Sequence, residues 1–273
     1  MTTALAPESE TDTVQFGLVE LDLLATHAGA PIPFPLHVPS FGRIPGEREI
    51  LLDAAGYALR LRGLADQIGP VGPAAEFVTA LREYRGAVDL VAVTPDRTIG
   101  AVAMVYQDSA LICRQNLTEG DTATVSVQRV ADTALAAALR PLVPAIAPAR
   151  SMPVMLPTRV VDTARQLVAT ATDDADLAQR LRELMRDHGG DPDALEQLAG
   201  LLIALTGRGQ LGVTRRTDGG SARAGTELSW LDGLRGRVRV HRGADGWVSV
   251  NPLRPAALRF ALDELAMIAR ERR

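Results

Sequence analysis

The chain has 273 residues, with 29 basic and 33 acidic side chains, and every basic residue is arginine. The absence of lysine excludes Schiff-base chemistry, lysine nucleophiles or bases, and the glycine-loop lysine of phosphate-binding loops. A single cysteine, Cys113, excludes intramolecular disulfides, four-cysteine zinc sites and cysteine-ligated iron–sulfur clusters, and 47% apolar with 23% charged residues is a globular composition.

Residues 1–13 read as a disordered tail, polar and acidic, and the first basic residue is Arg43. That is not a secretory leader, and no apolar run nears the roughly 18 residues that span a bilayer. The expected location is cytoplasmic, without membrane insertion. The folded part begins with Phe16, Leu18, Val19, Leu21, Leu23 and Leu24, and residues 14–142 are expected to form a first α/β half. Five prolines between Ala30 and Pro45 predict an extended crossing, because proline fixes φ and drives its predecessor out of the helical region. Two helices follow, Glu47–Leu64 on the spacing of Ile50, Leu51, Ala54, Ala58 and Leu61, and Pro73–Tyr84 on Phe77, Val78 and Leu81. From Ala87 the pattern turns to short β-type runs, AVDLVAVT, TIGAVAMVYQ, ALICRQNL and TATVSVQ. They are separated by the turn formers TPDR, QDS and TEGD, which together predict an antiparallel meander. A helix over about 131–142 ends this half, and residues 143–157 read as a proline-rich linker.

Residues 158–273 repeat the plan. Helices are expected near Asp173–His188 and Asp191–Thr206, then the strands GQLGVTRRT, GTELSWLD, GRVRVHR and GWVSVNP, then a helix from Pro255 to Arg270. A shift of 123 positions lays residues 124–142 on 247–265 with eight identities, among them Val125, Ser126 and Val127 on Val248, Ser249 and Val250. The fold class is therefore α+β with a duplicated, pseudo-two-fold plan: an antiparallel sheet flanked by helices.

The residues that usually carry chemistry are scattered. His27, His37, His188 and His241 lie in four separate segments, without a spacing that sets two on one helical face. Cys113 lies inside a strand run and reads as a small buried hydrophobe. The cluster Asp173, Asp174 and Asp176 reads as helix capping, lacking the glycine and distal glutamate of a calcium loop. No catalytic, metal or cofactor site is assigned. An enzyme reading would have to rest on Asp173 with His188 or on Glu227 with His241. Charge is unevenly shared: residues 1–142 hold 10 arginines and 17 acids, and residues 143–273 hold 19 and 16. Arg235, Arg237 and Arg239 alternate with small and apolar residues, so one strand face reads as basic and solvated. With Arg242 that stripe is also the only basis for a nucleic-acid reading, which the low pI of about 5.6 and the few aromatics disfavour.

Two stretches resemble a known family. VELDLLATHAGAPIPFPLHVPSFGRIPGERE, Val19–Glu49, resembles the N-terminal region of the EspG family of type VII (ESX) secretion-associated proteins. GRVRVHRGADGWVSVNPLRPAALRFALDEL, Gly236–Leu265, is similar to its closing strand-turn-strand-helix segment. The resemblance implies a central sheet with quasi-two-fold symmetry and a C-terminal helical bundle. It implies a non-enzymatic chaperone that binds the tip of the PPE subunit of PE–PPE heterodimers, keeps them soluble and guides them to the secretion machine. Carried over, the contact surface would use the loop Thr94, Pro95, Asp96 and Arg97, the sheet segment with Ala101, Ala103, Val105 and Gln107, and a bundle within Asp173–Thr206. A homodimer is left open.

Overall fold

The computed structural model describes residues 13–42, 44–120, 123–151, 153–170, 172–187, 205–218 and 220–272. Nearly all of the expected tail, His188 and most of the expected Asp191–Thr206 helix lie outside the described residues, although Leu205 and Thr206 are seen to begin a strand.

The first half runs β1 (Thr13–Gly17), α1 (Leu18–Ala28), α2 (Pro45–Leu61), α3 (Pro73–Glu83), β2 (Gly86–Val93), β3 (Thr98–Tyr106), β4 (Ser109–Asn116), β5 (Thr124–Ala131) and α4 (Leu135–Leu139). The second runs β6 (Val154–Pro157), α5 (Thr158–Thr170), α6 (Asp174–Asp187), β7 (Leu205–Thr217), β8 (Gly220–Gly233), β9 (Gly236–Arg242), β10 (Trp247–Pro252) and α7 (Pro255–Arg270). Four of these were not anticipated: β1, α1, β6 and α5. Gly17 turns β1 directly into α1, and the Glu20 carboxylate accepts the Gly17 N–H at 2.8 Å, covering one of the orphan donors at a helix start. The helix expected over 131–142 is a five-residue α-helix between two single turns of 3-10 helix; Pro141, in the second of them, has no N–H with which to continue the α-helical ladder.

Two buried acids on α1 organise the proline-rich crossing. Asp22 accepts both guanidinium nitrogens of Arg48 at 2.6 and 2.9 Å and the Phe41 N–H at 2.9 Å. Glu20 accepts Arg62 through both oxygens at 2.9 Å. Both ends of α2 are thus pinned to α1, at Arg48 by a bidentate fork that fixes orientation as well as distance and at Arg62 by one guanidinium nitrogen shared between the two Glu20 oxygens.

The ten strands make one antiparallel sheet in the order β1-β5-β4-β3-β2-β7-β8-β9-β10-β6. Read from either edge, the order is the same plan. Leu90 pairs with Leu211 across the central β2–β7 seam, and both are fully buried. At the edges, Gly17 pairs with Thr124 and Pro157 with Trp247, so each edge strand stops and its helix starts at equivalent places. Thr124 and Trp247 are the first residues of the 19-residue overlay, so the duplication read in the sequence is a two-fold relation about the Leu90–Leu211 pair.

Helices α1–α3 cover one face of β2–β5, where Phe16, Leu21, Leu24, Phe77 and Leu81 meet Val102, Met104, Cys113 and Val125. Helices α5 and α6 cover β6, β9 and β10 through Val160, Leu177 and Leu181 against Leu156, Val238, Val248 and Val250. Both groups lie on the same side of the sheet, since Leu231 beside α5 and α6 is in register with Arg208, and Arg208 with Val93 on the α1–α3 face. On the opposite face α4 and α7 pack together over the seam, with Leu135, Leu139, Leu262 and Leu265 on Val88, Leu90, Leu211 and Trp230. The central pairs differ instructively between halves: Val88 faces Ala103 in β2–β3, whereas Gly209 faces Trp230 in β7–β8. A Cβ on Gly209 would meet the Trp230 ring at 2.1 Å, so the glycine is the space in which the indole lies. No helix among the described residues is long and apolar enough to cross a membrane.

Candidate functional site

Thr94, Pro95, Asp96 and Arg97 form the turn between β2 and β3. Thr94 closes it: its N–H and its hydroxyl donate to the Arg97 carbonyl at 2.9 and 3.0 Å, and Pro95 presets φ at the first central position. Pro95, Asp96 and Arg97 are exposed. The turn stands at the end of the sheet that also carries the loop after β4, where Thr98 donates to the Thr118 hydroxyl at 2.8 Å. The β8–β9 turn lies at this end too, with Leu234 at 82% exposure, as does Leu205, the first residue of β7, at 38%. Exposed apolar and charged groups thus meet along one end of the sheet, the composition of a protein contact with an apolar centre and polar rim.

The remaining candidates do not join that surface. Ala101, Ala103 and Val105 are fully buried beneath α4 and α7. They alternate onto the α7 face of β3 and are floor, not surface, because a sequence alternation cannot tell a solvated face from one roofed by a helix 150 residues later. Gln107 is exposed but starts the β3–β4 turn at φ 46. The nine residues of β3 put it about 30 Å from Thr94, at the opposite end. The bundle expected within Asp173–Thr206 is represented by α6 alone among the described residues. The Asp173 carboxylate caps it by accepting the N–H groups of Ala175 and Asp176, each at 3.3 Å.

The basic stripe is also corrected. Arg237 is 2% exposed, its guanidinium held by both Asp232 oxygens at 2.6 and 2.8 Å and lying 5.1 Å over the Trp230 ring. Its backbone N–H donates to the Ala147 carbonyl and its carbonyl accepts from Ala149 and Leu253, so it fastens the linker to β9. Arg239 is partly buried, whereas Arg242 turns to the other face and meets Asp162 of α5 at 2.5 Å. Arg235, in the β8–β9 turn, is exposed, so Arg237 is an internal clamp and the four arginines do not form one continuous basic face. A signal was present in the sequence: in DGLRGR a two-residue turn sets Asp232 directly across from Arg237.

A second ion pair lies in the floor of the sheet on the α1–α3 side. Asp89 of β2, 3% exposed, is gripped by both guanidinium nitrogens of Arg223, which reaches over β7 from β8, the Nη2 contact at 3.0 Å. Gly212 makes the reach possible, since a Cβ there would lie 2.5 Å from the Arg223 Nη1. Burial pushes the Asp89 carboxyl above its ordinary pKa despite the arginine, and hydrogen bonding to Asp89 raises that of Arg223. Phe34, exposed on the crossing, covers the guanidinium at 5.8 Å. The Glu227–His241 pairing does not form: Leu228 packs beneath α7 and Val240 against the α5–α6 core, so their neighbours Glu227 and His241 point to opposite faces. Asp173–His188 lies outside the described residues. Burial raises the Cys113 thiol pKa, an inert thiol rather than a nucleophile. No group of three or more metal-ligating side chains occurs among the described residues.

A family model described as the EspG family matches residues 18–264. A search of curated proteins finds no match to the sequence. Among solved structures, one similar in fold is the type VII secretion system chaperone EspG5 of Mycobacterium tuberculosis, in complex with the PE25–PPE41 dimer. It is 12% identical, with a TM-score of 0.68 over 94% of this chain and 96% of that one.

Proposed function

The chain belongs to the EspG family, and on that premise we propose that it is a cytoplasmic, non-enzymatic chaperone of type VII secretion. It binds the tip of the PPE subunit of a PE–PPE heterodimer, keeps the pair soluble and delivers it to the secretion machine. The observation that carries this reading is the extent of the family match, residues 18–264, which takes in every described strand but β1 and all of the described helices but the last turns of α7. The chaperone seen with a PE–PPE dimer shares the fold over nearly the whole of both chains, which supports the same class of partner here.

For the contact we propose the end of the sheet formed by Thr94, Pro95, Asp96 and Arg97, extended by Leu205 and Leu234. Support comes from their exposure and from the mixture of apolar and charged groups. A helical tip seated there would bury Leu234 and Pro95 and leave Asp96 and Arg97 at the rim, where charges set orientation and association rate. Ala101, Ala103 and Val105 contribute only by holding that end rigid.

Co-expression with each PE–PPE pair encoded in the source genome should give at least one soluble 1:1:1 complex by size-exclusion chromatography. Failure with every pair overturns the proposal. Given a complex, the triple substitution Pro95→Glu, Asp96→Arg, Arg97→Glu should weaken it by about tenfold or more by calorimetric titration, with an unchanged melting temperature. Unchanged affinity would move the contact elsewhere.

A further inference from the structure

Helix α2 carries an apolar stripe on which no other described residue packs. Ala55 and Leu59 face α1 and are buried. On the diametrically opposite side Ile50 is 70% exposed, Tyr57 58% and Leu61 70%, with Ala54 between them, also exposed. The spacing of four, three and four residues is that of a coiled-coil seam, which keeps one line of side chains facing a partner helix. Monomeric proteins scatter such residues singly, so a continuous line of them marks a contact.

The charges beside the seam state what the partner is. Glu49, Asp53 and Arg60 all lie along one flank of the stripe, all are exposed, and none is held in an ion pair by another described residue. The acids are toward the start of the helix and the arginine toward its end. A second α2 laid antiparallel about a two-fold axis at the middle of the stripe sets Ile50 against Leu61 and Ala54 against Tyr57. On the shared flank each Arg60 then falls between Glu49 and Asp53 of the other copy, within about 3 Å along the axis at 1.5 Å per residue. The pattern is self-complementary, as an isologous contact must be.

We propose that α2 is a self-association surface on which two copies of this chain pair antiparallel through Ile50, Ala54, Tyr57 and Leu61, with Glu49 and Asp53 of each facing Arg60 of the other. A single helix pair is at the small end of interface sizes, so the dimer forms and dissolves with concentration. It lies on a different element from the proposed substrate contact.

Sedimentation velocity over a wide concentration range should show a monomer–dimer equilibrium in the wild type, and only monomer in Tyr57→Glu/Leu61→Glu, whose melting temperature should match because both side chains are exposed. Charge exchange tests the geometry. Glu49→Arg/Asp53→Arg alone and Arg60→Glu alone should each weaken the homodimer by about tenfold, and an equal mixture of the two should restore association as a heterodimer. The proposal is overturned if the wild type remains monomeric throughout, if the Tyr57/Leu61 variant still dimerises, or if the mixture associates no better than its components. It is equally overturned if the seam substitutions leave self-association alone and abolish only a PE–PPE complex, which would give the stripe to that partner.

Discussion

Arg237 shows how one residue type can carry opposite meanings. Its alternation with small and apolar neighbours is legible in the sequence, but solvation is not, because the linker at Ala147–Ala149 that closes over it comes from far earlier in the chain. Removing one partner of a buried pair is far costlier than replacing both, since it strands an uncompensated charge. Arg237→Ala should therefore lower stability to urea by about 3–5 kcal/mol, whereas Arg237→Met with Asp232→Leu should recover most of it. Asp89 makes a different prediction through its raised pKa. Folding favours its protonated form, so its contribution to stability is full below the unfolded value of 3.8 and is lost as pH rises through the higher folded value. Asp89→Asn should remove that part of the pH dependence: urea midpoints across pH 4 to 7 should fall less with rising pH in the variant than in wild type. Cys113 should resist Ellman's reagent in the folded protein and react fully once denatured, since burial raises its thiol pKa.

Among the elements, the eight central strands, α3 and α7 are legible from alternation, helical spacing and turn chemistry. The four elements that escaped are the two edge strands and the helices that follow them without a loop. β1 has five residues and β6 four, too short for a period-two pattern to stand out. Val160 and Val161 blur the helical signal of α5, because branching at Cβ favours strands. At the site the turn Thr94–Arg97 was legible because turn formers sit at exposed tips, whereas the roof over Ala101, Ala103 and Val105 comes from α4 and α7, remote in sequence. Local pairing also explains the unequal halves. Gly209→Ala should destabilise by about 1–3 kcal/mol as the new Cβ drives the Trp230 ring from its slot. Adding Trp230→Ala to Gly209→Val, which copies the Val88–Ala103 pair of the other half, should cost less than the sum of the two single changes, as measured by a double-mutant cycle in urea.

For the whole molecule the two halves are expected, as proposed from the sequence, at 14–142 and 158–273. They share a ten-stranded sheet and the α4–α7 core across its seam. We predict one cooperative transition by calorimetry, with calorimetric and van't Hoff enthalpies equal. Two resolved transitions would show the halves to be thermodynamically separate.

The sheet's outer boundaries carry a last consequence. A long bare strand edge is a template on which any extended chain can add itself, including another copy or a half-folded client. Here the sheet ends in β1 and β6, strands of five and four residues, and β6 follows Pro153 and ends in Pro157, neither of which has an N–H to offer. Edges this short, one of them bounded by proline, offer little strand backbone for another chain to pair with. With the contact proposed above at the Thr94–Arg97 end, a partner would be held by side chains there, away from both strand edges of the sheet.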